Sequence, residues 1–237
     1  SFRMPTAKEL SSNGINYHMY RYEKGDTTIH AEESYQLDLG MSINTNKWQF
    51  ELTPFINYFP NYIYLNPTSE YQEAQQVYYY SQSEVFRSGA EMAMAFQMNK
   101  EFRLSADLEY IYSIQLSGKK KGYTLPFSPP LTTHLEFIYA PQSKGMLTSP
   151  SLGMDVRFVT AQNNIVPPEK KTPGYTLISL NGGASVMAGK QLVNVRMQLI
   201  NVFNTRYFDH TSFYRLIGVP GQGRNMIISI QLPLGDV

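Results

Sequence analysis

From Glu101 to Leu116 every second residue is apolar: Phe102, Leu104, Ala106, Leu108, Tyr110, Tyr112, Ile114 and Leu116. Between them lie Glu101, Arg103, Ser105, Asp107, Glu109, Ile111, Ser113 and Gln115, so one face is greasy and the other mostly polar. A period of two belongs to extended chain and to no helix. A strand over all 16 residues runs roughly 50 Å at about 3.3 Å per residue, against the five or six residues usual in globular sheets. It needs two solvents along its whole height. The wall of a membrane barrel offers them, hydrocarbon outside and water or a polar plug inside, with a span of about 9 to 11 residues.

The same pattern recurs. Tyr35, Leu37, Leu39, Met41 and Ile43 alternate with Gln36, Asp38, Gly40, Ser42 and Asn44. Trp48, Phe50, Leu52, Pro54, Ile56 and Tyr58 alternate with Gln49, Glu51, Thr53, Phe55 and Asn57. Near the C-terminus Val193, Val195, Met197 and Leu199 oppose Asn194, Arg196 and Gln198. Met226, Ile228, Ile230, Leu232 and Leu234 oppose Asn225, Ser229 and Gln231. With 18 Tyr, 13 Phe and only 16% charged residues, the composition suits interfacial aromatic girdles better than an ordinary soluble surface. A net charge of +1 argues against capture of nucleic acid. The absence of cysteine removes disulfides and thiolate metal sites. No run of 18 apolar residues offers a membrane helix.

The fold expected is all-β, an antiparallel up-and-down transmembrane barrel of about ten strands: 15–23, 33–44, 47–59, 76–98, 101–116, 132–140, 151–161, 174–187, 190–203 and 224–234. Residues 1–14 would be an approach segment or fragment end. Thr45-Asn46-Lys47, Asn99-Lys100 and Ala188-Gly189-Lys190 read as tight turns on one side. Residues 59–75, 117–132, 161–173 and 204–223 read as long loops on the other, the side that faces outward in outer-membrane barrels. Pro54 cannot donate to a ladder, so a bulge or unpaired position is expected near the outer end of its strand.

Chemical motifs are sparse. His18, His30, His134 and His210 are scattered, and His30-Ala31-Glu32-Glu33 and Asp209-His210 supply too few ligands at a recognisable spacing for a metal. Gly218 to Gly223 fits neither phosphate-loop nor dinucleotide spacing. Met92, Met94, Met98, Met154 and Met197 sit on apolar stripes, where lipid contact or packing accounts for them. No nucleophile, base and acid can be assembled. No enzyme activity, cofactor or metal site is expected.

Several segments resemble TonB-dependent outer-membrane receptors of the Bacteroides group. They are Trp48 to Tyr58 followed by Asn61-Tyr62-Ile63-Tyr64-Leu65 and Pro67-Thr68; Gly89-Ala90-Glu91; Leu125-Pro126-Phe127-Ser128-Pro129-Pro130; Pro173-Gly174-Tyr175-Thr176-Leu177; Asn201-Val202-Phe203-Asn204-Thr205-Arg206-Tyr207; and, within His210 to Asn225, Tyr214-Arg215, Gly218-Val219-Pro220-Gly221 and Gly223-Arg224-Asn225. They cover roughly residues 30–235 in family order. The closing Leu232-Pro233-Leu234-Gly235-Asp236-Val237 departs from it by lacking a terminal aromatic residue.

The resemblance implies that residues 15–237 are the C-terminal portion of a 22-strand barrel, without the N-terminal plug that TonB engages. It implies partners in outer-membrane lipid, the missing barrel and plug, TonB, and a nutrient such as an iron-siderophore or another metal complex. The charges expected to face the lumen, and so to meet a plug or ligand, are Asp38, Glu51, Glu91, Arg103, Asp107, Glu109, Asp155, Arg157 and Arg196. A complete small outer-membrane barrel acting as pore or enzyme stays open as an alternative. So does a soluble lipocalin-like barrel with its apolar face inside.

Overall fold

A computed structural model describes residues 1–188 and 191–232. In chain order its elements are β1 (Phe2–Arg3), α1 (Ala7–Ser11), β2 (Asn13–Asn16), β3 (Arg21–Lys24), β4 (Glu32–Glu33), β5 (Tyr35–Asp38), β6 (Met41–Asn44), β7 (Trp48–Gln72), β8 (Gln75–Gln97), β9 (Phe102–Gln115), β10 (Thr132–Tyr139), β11 (Leu147–Val159), β12 (Tyr175–Ala188), β13 (Gln191–Ile200) and β14 (Asn225–Gln231), with a 3-10 turn at Phe213–Ile217. From β7 to β14 each strand pairs antiparallel with the next, and β5 and β6 both pair with β7. The result is an up-and-down wall of nine staves, β5 and β6 counting as one. Among the described residues the wall does not close on itself: β14 stands at one edge and β5–β6 at the other. Of the expected turn Ala188-Gly189-Lys190 and the closing stretch Leu232 to Val237, residues 189–190 and 233–237 lie outside the described residues.

Three expectations are corrected. Residues 15–23 are no stave but most of a small hairpin, β2–β3, which pairs parallel with the outer end of β8 through Tyr22 and Val77, Glu23 and Tyr78, and Lys24 and Tyr79. The reason is geometric, since β9 ends its pairing with β8 at Val85 and β3 takes up part of the edge left above, from Val77 to Tyr79. Residues 59–75 are no long loop. β7 continues to Gln72 and returns through Glu73 and Ala74, whose φ of 51° and 60° are both left-handed. That is the backbone of a tight primed turn without the Asn-Gly that usually announces it. Pro54 lies in the inner part of this longer strand, not near its outer end. Opposite it the first stave breaks between β5 and β6, and the Leu39 N–H bonds the Pro54 carbonyl with no N–H to return the bond.

Register sorts the two faces. Opposed residues of an antiparallel pair share a face, so Leu52, Met92 and Leu108 form one rung and Phe50, Met94 and Ala106 the next. Leu104, Met154, Met197, Met226, Ile228 and Ile230 on this side are all exposed. The opposite face is the one the long loops fold over. Val85, Ser113, Gln115, Val159, Tyr175 and Leu177, on that polar face at its outer end, are buried. The greasy side therefore faces outward to hydrocarbon, and the buried core sits inside the mouth rather than halfway down the wall.

Candidate functional site

All nine charged positions singled out from the sequence fall on the inner face by register. Asp38 opposes Phe55, Glu51 opposes Ser42 and Ala93, and Arg103 opposes Gln97 and Ile138. Arg196 opposes Gly183 and Ser229, and Asp107 opposes Ala93 and His134. Among the described residues only Arg157 forms an ion pair, a loose one at 3.9 Å with Asp209. Glu91 directly faces Glu109, and Asp155 faces Glu136, which the sequence reading had not singled out. Facing like charges destabilise a ladder, and no side-chain cation bridges either pair among the described residues. Asn181 Nδ2 donates to Asp155 at 2.8 Å. The lower inner wall thus presents to whatever fills the interior carboxylates that, among the described residues, no side-chain cation neutralises.

At the outer end the loops turn inward. Loop 116–131 lies on the inner face of β9, where the hydroxyls of Ser113, Thr124 and Ser128 bond one another at 2.8 to 3.0 Å. Gln115 donates to the Thr124 carbonyl and accepts from the Tyr64 hydroxyl. Loop 160–174 joins this layer through Gln162 Nε2, which donates to the Ser128 carbonyl at 2.7 Å. Loop 201–224 is closed at its root by the buried Asn201, bonded to the backbone of Thr205 and Gln222. Gly221 leaves room there for the Tyr207 ring, which a Cβ would meet at 2.3 Å and displace.

One carboxylate clasps the three loops. Glu169 Oε1, in loop 160–174, accepts the Phe127 N–H of loop 116–131 at 3.0 Å and an Arg215 N–H of loop 201–224 at 2.8 Å. Phe127 reaches this bond with a left-handed φ of 56°. Arg215 also donates to the His210 carbonyl and lies 5.0 Å from the Phe127 ring centre. His210, 2% exposed, shares a hydrogen bond between Nδ1 and Thr172 Oγ1, and its Nε2 stands 3.9 Å from Glu169. Neither His210 Nε2 nor Glu169 Oε2 has a hydrogen-bond partner among the described residues. Burial pushes His210 down to about 4, with Arg215 adding to the shift and Asp209 opposing it. Burial pushes Glu169 up, against the bonds from Phe127 and Arg215. At neutral pH the histidine is therefore an uncharged wedge.

A second clasp fastens the N-terminal segment. Glu23, 2% exposed, accepts from Lys8 at 2.7 Å, Arg21 at 2.8 Å and Asn16 at 2.9 Å. Its burial raises the carboxyl pKa, but those bonds outweigh it and hold the group below its ordinary value. The Arg21 guanidinium lies 5.3 Å from the Tyr78 ring centre and 4.8 Å from that of Phe213. It thereby ties the β2–β3 hairpin to loop 201–224.

Sequence reasoning gave no role to Glu169 and Arg215, because loops carry no period and the Glu169 partners Phe127 and Arg215 lie 42 and 46 residues away; Arg21 and Arg87 lie on strands, β3 and β8, but were not singled out. Asp209 and His210, read together as a weak ligand pair, diverge: Asp209 accepts from Thr211 while His210 turns inward.

The chain matches the family model described as "TonB dependent receptor-like, beta-barrel" over residues 1–204. Among solved structures it is similar to the copper transporter OprC, with TM-score 0.78 and 21% identity over 97% of this chain and 35% of that one. It is also similar to BauA, the ferric preacinetobactin receptor from Acinetobacter baumannii, with TM-score 0.65 and 17% identity over 94% of this chain and 32% of that one. The ferric citrate transporter FecA in its unliganded form matches with TM-score 0.64 and 17% identity over 84% and 30%. This chain therefore spans about a third of the length of each.

Proposed function

Because the chain belongs to the TonB-dependent receptor family through its β-barrel, we propose that it supplies the C-terminal part of the wall of an energised importer, whose remaining staves and plug lie elsewhere in the whole receptor. The barrel of this family is an outer-membrane structure, and its members are transporters and receptors. The cargo proposed is a scarce nutrient carried as a metal complex, an iron-siderophore first among them.

The observation that carries this reading is the state of the inner face. Carboxylates facing one another across a ladder, Glu91 with Glu109 and Glu136 with Asp155, are costly where they stand alone and are relieved by a body that brings donors and cations. A plug seated against Glu51, Glu91, Asp107, Glu109 and Asp155, with Arg103, Arg157 and Arg196 alongside, is such a body. A dedicated soluble ligand barrel would instead keep this face in bulk water. The two wall edges that have no partner among the described residues, β14 and β5–β6, have backbone groups that hydrocarbon cannot satisfy, and neighbouring staves would meet them.

The test is uptake by the full-length receptor in cells with and without TonB, using radiolabelled ferric citrate, a ferric catecholate and copper. TonB-dependent accumulation of at least one, lost when the plug is deleted, is expected. Equal accumulation without TonB would overturn the reading.

A further inference from the structure

We propose that Arg87 is the anchor of an anion subsite beneath the loop roof, built for a carboxylate or phosphate group. The inference rests on the import reading and names the chemistry of the cargo that pauses there.

Arg87 lies on the inner face of β8, opposite Asn57 of β7 and Ser113 of β9. It lines a cavity of about 280 Å³ with Tyr62, Tyr64, Ser113, Phe127 and Arg21, and no carboxylate shares that lining. Arg21 is already committed, its Nε donating to Glu23 at 2.8 Å. Arg87 is not. Among the described residues it forms no ion pair, and its Nε is buried without a hydrogen-bond partner. Asn57 Oδ1, on the facing rung, is likewise buried and unmet, and no bond joins the two.

A guanidinium Nε buried without an acceptor is a costly arrangement, because water has been removed from that atom and nothing has replaced it. Its planar fork matches the paired oxygens of a carboxylate or phosphate. Charge along the wall favours an anion at this level and not lower. Glu91 follows four residues inward on the same strand, roughly 13 Å at about 3.3 Å per residue, and faces Glu109. An anion entering under the roof meets a cation first and a carboxylate belt next, so it stops at Arg87 until the interior changes.

The experiment measures binding of citrate and of inorganic phosphate to the full-length receptor in detergent by titration calorimetry. Arg87→Gln and Arg87→Lys are compared with Arg224→Gln, an equal loss of charge on the exposed loop. The expected result is at least a tenfold weaker affinity for one or both anions in Arg87→Gln, an intermediate loss in Arg87→Lys, and wild-type affinity in Arg224→Gln. The preference between the two probes tells a carboxylate site from a phosphate site. Heat-modifiable gel mobility verifies folding, and if Arg87→Gln fails to fold, the Arg87→Lys loss alone decides. Unchanged affinity in the Arg87 variants, no binding of either anion to wild type, or an equal loss in Arg224→Gln would overturn the proposal. Binding that depends on Arg87, together with uptake indifferent to TonB, would leave the subsite standing and remove the import reading.

Discussion

Acidification should open the roof of the mouth through His210. The imidazole is buried beside Arg215, with Asp209 and Glu169 its acidic neighbours, and its ordinary pKa of 6.5 is pushed down to about 4. A depressed pKa means that the closed roof prefers the neutral ring. This contribution is complete above pH 6.5 and is lost as pH falls toward 4. At about 1.36 kcal/mol per unit, the closed loops lose on the order of 3 kcal/mol by pH 4, which raises the open population roughly a hundredfold. Glu169 works in the opposite sense. Its carboxyl is raised by burial, so its contribution is complete below the ordinary carboxylate range and fades as pH rises through the raised value. Hydrogen exchange of the full-length receptor in detergent, corrected for intrinsic rates, reads both effects. Amides in 161–173 and 204–217 should lose protection between pH 7 and 4 while those of β8 and β9 keep theirs. His210→Gln should abolish that loss and leave the weaker Glu169 dependence, with loops looser at higher pH. Protection independent of pH in the wild type, or the same acid loosening in His210→Gln, would refute the reasoning.

Two further expectations concern the wall. Leu104→Arg places a charge on the lipid face and should cost roughly 2 to 4 kcal/mol of folding stability if it sits near the bilayer midplane, while Ser105→Arg, one residue on and facing inward, should cost far less; urea titration in lipid vesicles measures both. Gly89→Ala should destabilise by about 1 to 3 kcal/mol, because its Cβ would lie 2.3 Å from the Tyr110 carbonyl oxygen and 2.7 Å from the Phe55 ring. Gly40→Ala, with nothing within 4 Å, serves as the control, and equal unfolding midpoints for the two variants would contradict this account.

What the sequence determined by itself is the wall. A repeat of two over many residues admits one backbone, and once one face is greasy and the other polar, a slip by a single residue would exchange all of them. Leu104, Leu108 and Met197 on one side, and Asp38, Glu51, Arg103 and Arg196 on the other, could therefore be placed without coordinates. Pro54 foretold a break because a missing N–H is a property of the residue alone.

Tertiary structure decided the outer third. Residues 15–23 look like a poor stave because Tyr22 and Glu23 answer to the vacant edge of β8 and to Lys8 and Arg21, not to lipid. The turn at Glu73 and Ala74 has the backbone of a primed hairpin without its usual residues, held by the long β7–β8 ladder on either side. Glu169 meets partners from two other loops, and the Nε of Arg87 has no acceptor among the described residues. Alternation is written in neighbours along the chain, whereas a clasp or an unmet donor exists only between residues that folding brings together.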